Sequence, residues 1–226
     1  MKFKKFAKHK QPSVTFVTPA SGRVIVDNGV MTTGGAEAQI AYLSNMIVSI
    51  GGRVNILTAN VDTKSCAYSP NQVRVVKMWS KSAPGPIKLI QLIYSVMTSD
   101  PHLYIRGVSP VGFLVTILSK IFLKRVVVAL TSDLNCVEIP GKWWRNFWTK
   151  ATLRVCNRVI AQTKDQQKLL RQNLGVPSVV FPSVIELSKF NGAENVTFAS
   201  RDIDVLWVGT IEPRKGIEIF LMDIHF

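Results

Sequence analysis

The sequence predicts a doubly wound α/β fold: a parallel, Rossmann-like sheet covered by helices on both faces, followed by a second domain that the chain only begins. Two observations predict it. Short β-branched runs alternate with longer helical patterns between residues 13 and 181, which is the arrangement of successive βαβ units. The hydrophobic share, 47% of 226 residues, is ample for a sheet buried on both sides.

Taken in order, residues 1–12, MKFKKFAKHKQP, form a basic segment that runs straight into a strand-like stretch. No apolar run follows the lysines, so no export signal is read there. SVTFVT, 13–18, is the first strand, and the helix at 35–50 ends at Gly51 and Gly52, as glycine commonly does past a C-cap. Strands follow at 53–58 and 73–78, a helix at 86–98 and a strand at 102–106. The helix at 109–123 lies in the most apolar stretch, but Pro110, Gly112, Ser119 and Lys120 interrupt it. It is also shorter than the roughly 20 residues of a spanning helix, so a buried helix is expected. A strand at 125–131, a helix at 142–157, a strand at 158–162 and a helix at 164–174 come next, the last ended by Gly175 and Pro177. A strand at 179–181 completes a first domain over 13–185. Residues 186–201 are polar and read as a linker, after which DIDVLWVG opens the second domain over 202–226.

Charge is distributed unevenly. The chain has 28 Lys and Arg against 14 Asp and Glu, a net +14; residues 1–200 hold 25 basic and 9 acidic residues, and 201–226 hold 3 and 5. The basic field therefore belongs to the first domain and favours anionic partners: lipid headgroups, diphosphates or nucleic acid. Cys66, Cys136 and Cys156 are widely spaced with no CxxC pair, which points to a reducing cytoplasm and to neither a disulfide frame nor a metal site.

Two glycine motifs carry the chemistry. In TTGGAEAQ, 32–39, Gly34 and Gly35 let the backbone approach a ligand closely where a helix begins, and the free N–H groups of its first turn attract negative charge. The same pair also suits a plain tight turn. Glu37 either complements the helix dipole or accepts a sugar or acceptor hydroxyl. In VGTIEPRKGIEIF, 208–220, a strand and a turn lead into a helix start at Gly216. Lys215 there is either structural or a mobile cation suited to the charge on a leaving diphosphate. Arg214 adds a second contact or faces solvent.

With both motifs present and one doubly wound domain between them, the chain resembles the retaining glycosyltransferases of family 4, which have the two-lobed GT-B fold. The resemblance runs over essentially the whole chain, including AEAQIAYLSNMIVSIGGRVNILT and VIAQTKDQQKLLRQNLGVPSVVFPSVI. It implies that 13–185 is the N-terminal, acceptor-side lobe and that 202–226 starts the nucleotide-sugar lobe. By this resemblance Gly34, Gly35 and Glu37 face the interlobe cleft, and Gly209, Thr210, Arg214, Lys215 and Gly216 attend the donor diphosphate. No cofactor is implied beyond the nucleotide-diphospho-sugar donor. Three departures stand out. Thr210 replaces the family's usual Arg after the first glycine. A His commonly ends the fourth strand, but His102 starts it, leaving Arg106 or Ser109 nearest that place. The pair of glutamates expected further into the second lobe is not in the sequence, so this chain is expected to be an N-terminal-lobe fragment, inactive alone.

Two further constellations are candidates. In KWWRNFWTKATLRVCNR, 142–158, helical spacing puts Trp144, Phe147, Trp148, Ala151 and Val155 on one face and Lys142, Arg145 and Lys150 elsewhere. With Trp143, this is either an interfacial helix on an anionic membrane or a sheet-covering helix whose aromatics fill the core. The basic amino-terminal segment, with Phe3 and Phe6 among its lysines, favours the membrane. Asp133, after the fifth strand, either binds an acceptor hydroxyl or caps the next turn.

The expected function is transfer of a hexose from a nucleotide-diphospho-sugar to a lipid-linked or polysaccharide acceptor with retention of configuration. The expected location is cytoplasmic, peripheral to the inner face of the membrane. The alternatives are a non-catalytic, membrane-recruiting subunit completed by a separate C-terminal lobe, and a nucleic-acid binder. No helix-turn-helix, zinc or RRM signature supports the last.

Overall fold

The computed structural model describes residues 11–19, 35–59, 73–80, 82–184 and 218. The chain divides into two units, Met1–Ile185 and Glu186–Phe226. In the second, Glu218 is helical and exposed.

The first unit is built on a seven-stranded parallel sheet of order β3-β2-β1-β4-β5-β6-β7. The strands are β1 Ser13–Val17, β2 Arg53–Thr58, β3 Val73–Lys77, β4 His102–Arg106, β5 Arg125–Ala129, β6 Arg158–Ala161 and β7 Val179–Val180. The helices are α1 Gly35–Ser49, α2 Gly85–Thr98, α3 Pro110–Ile121, α4 Trp143–Val155 and α5 Lys164–Leu169, which continues as a π turn, Leu170–Leu174. The predicted doubly wound fold is thus present, and the ends of the elements lie within one or two residues of expectation. Ser109 falls just outside α3, as its cap. β5 stops at Ala129 because Gly107, at φ +78, turns the neighbouring strand away after donating to the Ala129 carbonyl (2.8 Å).

Strand alternation sorts the core into two layers. Phe16, Val54 and Ile56 point to one face and pack with Ile40 of α1. Val17, Leu57, Leu103, Ile105, Val126 and Val128 point to the other, beneath α2, α3 and α4. Right-handed crossovers account for this split: the chain moves outward from β1 to β3, then returns past β1 to β4 and continues the other way. α1 closes in a Schellman turn, with Gly51 N–H on the Val48 carbonyl (2.9 Å) and Gly52 N–H on the Ile47 carbonyl (2.8 Å). Gly51, at φ +81, makes the turn, whereas Gly52 is needed for space, since a Cβ there would lie 2.5 Å from Ile47 Cγ2 and 2.8 Å from the Ile47 carbonyl oxygen.

A polar knot ties α2 to the inner strands. The Asp100 carboxylate accepts from Thr15 Oγ1 (2.8 Å) and from Asn55 Nδ2 (2.6 Å), and its own N–H returns to Thr15 Oγ1 (3.1 Å). Lys124 closes the knot by donating to the Ser99 carbonyl, and burial pulls its pKa down against the opposing pull of Asp100. Replacing Asp100 with Ala strands a fully buried threonine hydroxyl and an amide. It is expected to cost about 2–3 kcal/mol by urea denaturation, with Asp100→Asn costing less, and an unchanged midpoint for Asp100→Ala would refute the knot's role.

Candidate functional site

In an open α/β sheet, ligands bind outside the carboxyl ends of the strands where the strand order reverses. Here that point lies between β1 and β4. β1 leads to α1 and lies beside β4, so the start of α1 and the end of β4 leave adjacent strands at the same edge.

Arg106 is the last residue of β4 and shares a face with Tyr104, the face that α1 covers. The Arg106 guanidinium lies close enough to Tyr104 for its charge to act on the phenol, and the Tyr104 ring rests edge-on against Phe16 at 5.2 Å between centroids. Burial raises the Tyr104 pKa above its ordinary 10.0, while the charge of Arg106 pulls it back. Among the described residues, Arg106 Nε is buried without a hydrogen-bond partner. So is Thr18 Oγ1, one residue past β1. Because Val17 pairs with Ile105, Thr18 falls level with Arg106, and it lies on the same face as Phe16. Two unsatisfied polar groups side by side are costly in a core but suit a phosphate, carboxylate or sugar oxygen that arrives with a ligand. Sequence reasoning missed Thr18. No local signal marks it, since Ser13 and Thr15 are also polar in this strand and only the register with β4 sets Thr18 level with Arg106.

The other expected residues have different situations. Gly35 begins α1 and Glu37 lies in its first turn, at the carboxyl edge. Gly34 and the motif residues Gly209, Thr210, Arg214, Lys215 and Gly216 lie outside the described residues. Ser109 is the N-cap of α3, its hydroxyl accepting from the Gly112 N–H at 3.0 Å. His102 is exposed at the opposite edge of the sheet. Asp133 does not cap its turn. Ser132 does, accepting from Leu134 N–H at 3.2 Å, while the Asp133 carboxylate accepts from Gln166 Nε2 at 2.9 Å and so ties β5 to the start of α5. Gln39, one turn into α1, binds Val184 with both ends of its amide, which anchors the close of the first unit to the site helix.

The tryptophan helix differs from one of its two readings. Its aromatics do not fill the core: Thr149, Thr152 and Leu153 face inward, and Trp143 is 71% exposed, Trp144 51% and Phe147 49%. The rings stack on one another and, through Trp148 and Phe147, on Phe113 of α3. Two of the three expected lipid-facing cations are engaged within the chain. Arg145 donates to the Leu134 carbonyl (2.5 Å) and Lys150 pairs with Glu138, while Lys142 is exposed. Among the described residues no helix is long and apolar enough to cross a membrane, and no group of three metal-ligating side chains occurs. Cys136 and Cys156 are free, with thiols pushed up to about 11 by burial.

No protein-family model matches the chain, and no curated sequence is similar to it. Among solved structures it resembles sucrose-phosphate synthase from Thermosynechococcus elongatus, with a TM-score of 0.53 and 12% identity, over 79% of this chain and 92% of that one. It also overlaps a UDP-N-acetylglucosamine 2-epimerase from Listeria monocytogenes, at a TM-score of 0.47 and 9% identity, over 72% of this chain and 42% of that one. The second overlap is too loose to argue from. The first establishes the fold, a Rossmann-like lobe of the GT-B kind.

The Tyr104–Arg106 pairing makes a testable statement about the site. Arg106→Ala removes a cation that favours the phenolate, so the Tyr104 titration followed by NMR of its labelled ring is expected to move to higher pH. A midpoint that stays put or falls would show that the two side chains are not coupled.

Proposed function

We propose that residues 13–185 are the acceptor-side lobe of a retaining sugar transferase of the family 4 type, joined by a linker at 186–201 to the start of a nucleotide-sugar-binding lobe at 202–226. The reaction transfers a hexosyl group from a nucleotide-diphospho-sugar, which needs no further cofactor, to a hydroxyl of a lipid-linked or polysaccharide acceptor. The bond from the anomeric carbon to the diphosphate breaks, a bond to the acceptor oxygen forms on the same face, and the nucleoside diphosphate leaves.

The observation that carries this reading is the pair of unsatisfied groups, Arg106 Nε and Thr18 Oγ1, at the β1–β4 edge beside the start of α1. In this assignment they hold an oxygen of the donor diphosphate or its sugar, and the N-terminal turn of α1, with Gly34 and Gly35, adds backbone N–H groups. Glu37 takes an acceptor or sugar hydroxyl, and Lys215, with Arg214 and the backbone from Gly209 to Gly216, neutralises the departing diphosphate. Ser109 and Asp133 shape the rim. A lobe carrying the family's two glutamates, on this polypeptide or a separate one, completes the cleft. The exposed α4 aromatics seat the lobe on the inner face of an anionic membrane, where a lipid-linked acceptor lies.

The test is a calorimetric titration of the full chain with UDP, GDP and ADP. At least one is expected to bind, and Arg106→Ala and Lys215→Ala are each expected to weaken it by about tenfold, the worth of one charge-assisted contact. A chain that ignores all three contradicts the proposal. So does any sugar-transfer product whose anomeric configuration, read by NMR, is inverted.

A further inference from the structure

α2, α3 and α4 form one helical layer on the sheet, and its outer surface is apolar well beyond α4. A helix that is apolar all round belongs in a core or against lipid. α2 and α3 each carry a single charged residue, Lys88 and Lys120. Yet α2 buries only the stripe of Leu92, Ser95 and Val96, leaving Ile90 64% and Tyr94 63% exposed, and Ile121 at the end of α3 is 65% exposed. With the α4 rings, large apolar side chains are exposed on three helices that pack side by side, which marks an interaction surface.

Charge identifies the occupant. The three helices contain five basic residues and no acid. Each acid in the segments between them is already engaged: Asp100 with Thr15 and Asn55, Asp133 with Gln166, Glu138 with Lys150. What remains is exposed apolar side chains on all three helices together with Lys88, Lys120, Lys142 and Arg154, a combination that complements an anionic bilayer in both its headgroup and acyl layers.

We propose that α2, α3 and α4 together are the docking face for an anionic lipid bilayer, with Ile90 and Tyr94 of α2 entering the acyl boundary alongside Trp143 and Trp144 of α4. This rests on the membrane reading of α4 and extends it: α2 supplies half of the apolar contact. Since Arg145 and Lys150 are held by their own chain, the electrostatic attraction falls to Lys88, Lys120, Lys142 and Arg154. Each helix begins where its preceding strand ends, so the tryptophans at the start of α4 lie at the carboxyl edge of the sheet.

Flotation of the full chain on phosphatidylcholine vesicles, with and without phosphatidylglycerol, tests the proposal. The chain is expected to float with the anionic vesicles and to be released by added salt. Ile90→Glu with Tyr94→Glu, both on solvent-facing positions, is expected to lower binding by about tenfold or more while thermal stability and nucleoside diphosphate affinity stay unchanged. If the wild-type chain fails to float, both this proposal and the α4 reading are wrong. If Trp143→Ala with Trp144→Ala abolishes flotation and the α2 variant floats like wild type, only the α2 extension fails. Sedimentation showing that the α2 variant dissolves a dimer which does not float would make a second copy of the chain the occupant instead.

Discussion

The reversal of strand order between β1 and β4 is the constraint on which the rest of the structure depends. A parallel sheet grown outward in one direction and then the other, with right-handed crossovers throughout, must place α1 on one face and the helices after β3 on the opposite one. It must also open a gap at the carboxyl edge where neighbouring strands send their chains to opposite sides. The knot at Asp100 secures that reversal from beneath, because it joins the turn entering β4 to the interior of β1 and β2. The crevice and the exposed helical layer are two products of one topology.

The crevice shows how this topology is used. Several polar groups of the first unit are tied up, Ser109 and Ser132 as caps, Asp133 by Gln166 and Gln39 by Val184, while Ser44, Ser119, Arg145, Trp148 and Ser178 each bury an unmatched polar atom away from the β1–β4 edge. At the β1–β4 edge, Arg106 Nε and Thr18 Oγ1 are buried and unmatched on adjacent strands. Such groups lower stability unless a ligand satisfies them, so under the proposed function stability lost there in the free protein would be returned as binding energy. Tyr104, whose ring is backed by Phe16, lies on the same face of β4 as Arg106.

Much of this was legible in the sequence. Buried parallel strands and capped helices have strong local signatures, and every strand from SVTFVT to the short run at Val179 was visible, as were the glycines that end α1 and the π turn. Arg106 was named as a candidate, with Ser109, from the family resemblance, and its place at the end of β4 agrees with the strand ends read from the sequence. Thr18 was not, because its significance depends on register with a strand far along the chain. The cap at Ser132 was missed because Ser132 and Asp133 are equally good capping residues by composition. The orientation of α4 was open for a similar reason. Helical spacing separates two faces without saying which one meets the sheet, and here the small threonines turn inward while the tryptophans turn out. The partners of Arg145 and Lys150 are tertiary and leave no local trace.

The central claim is that the unmatched groups at the β1–β4 edge receive a diphosphate oxygen. The most direct measurement is the Nε–H resonance of Arg106 in 15N-labelled protein titrated with a nucleoside diphosphate. The account expects this resonance to move downfield and saturate with the ligand, as a buried donor does on gaining a charged acceptor. A resonance that stays fixed while other signals report saturation would contradict it.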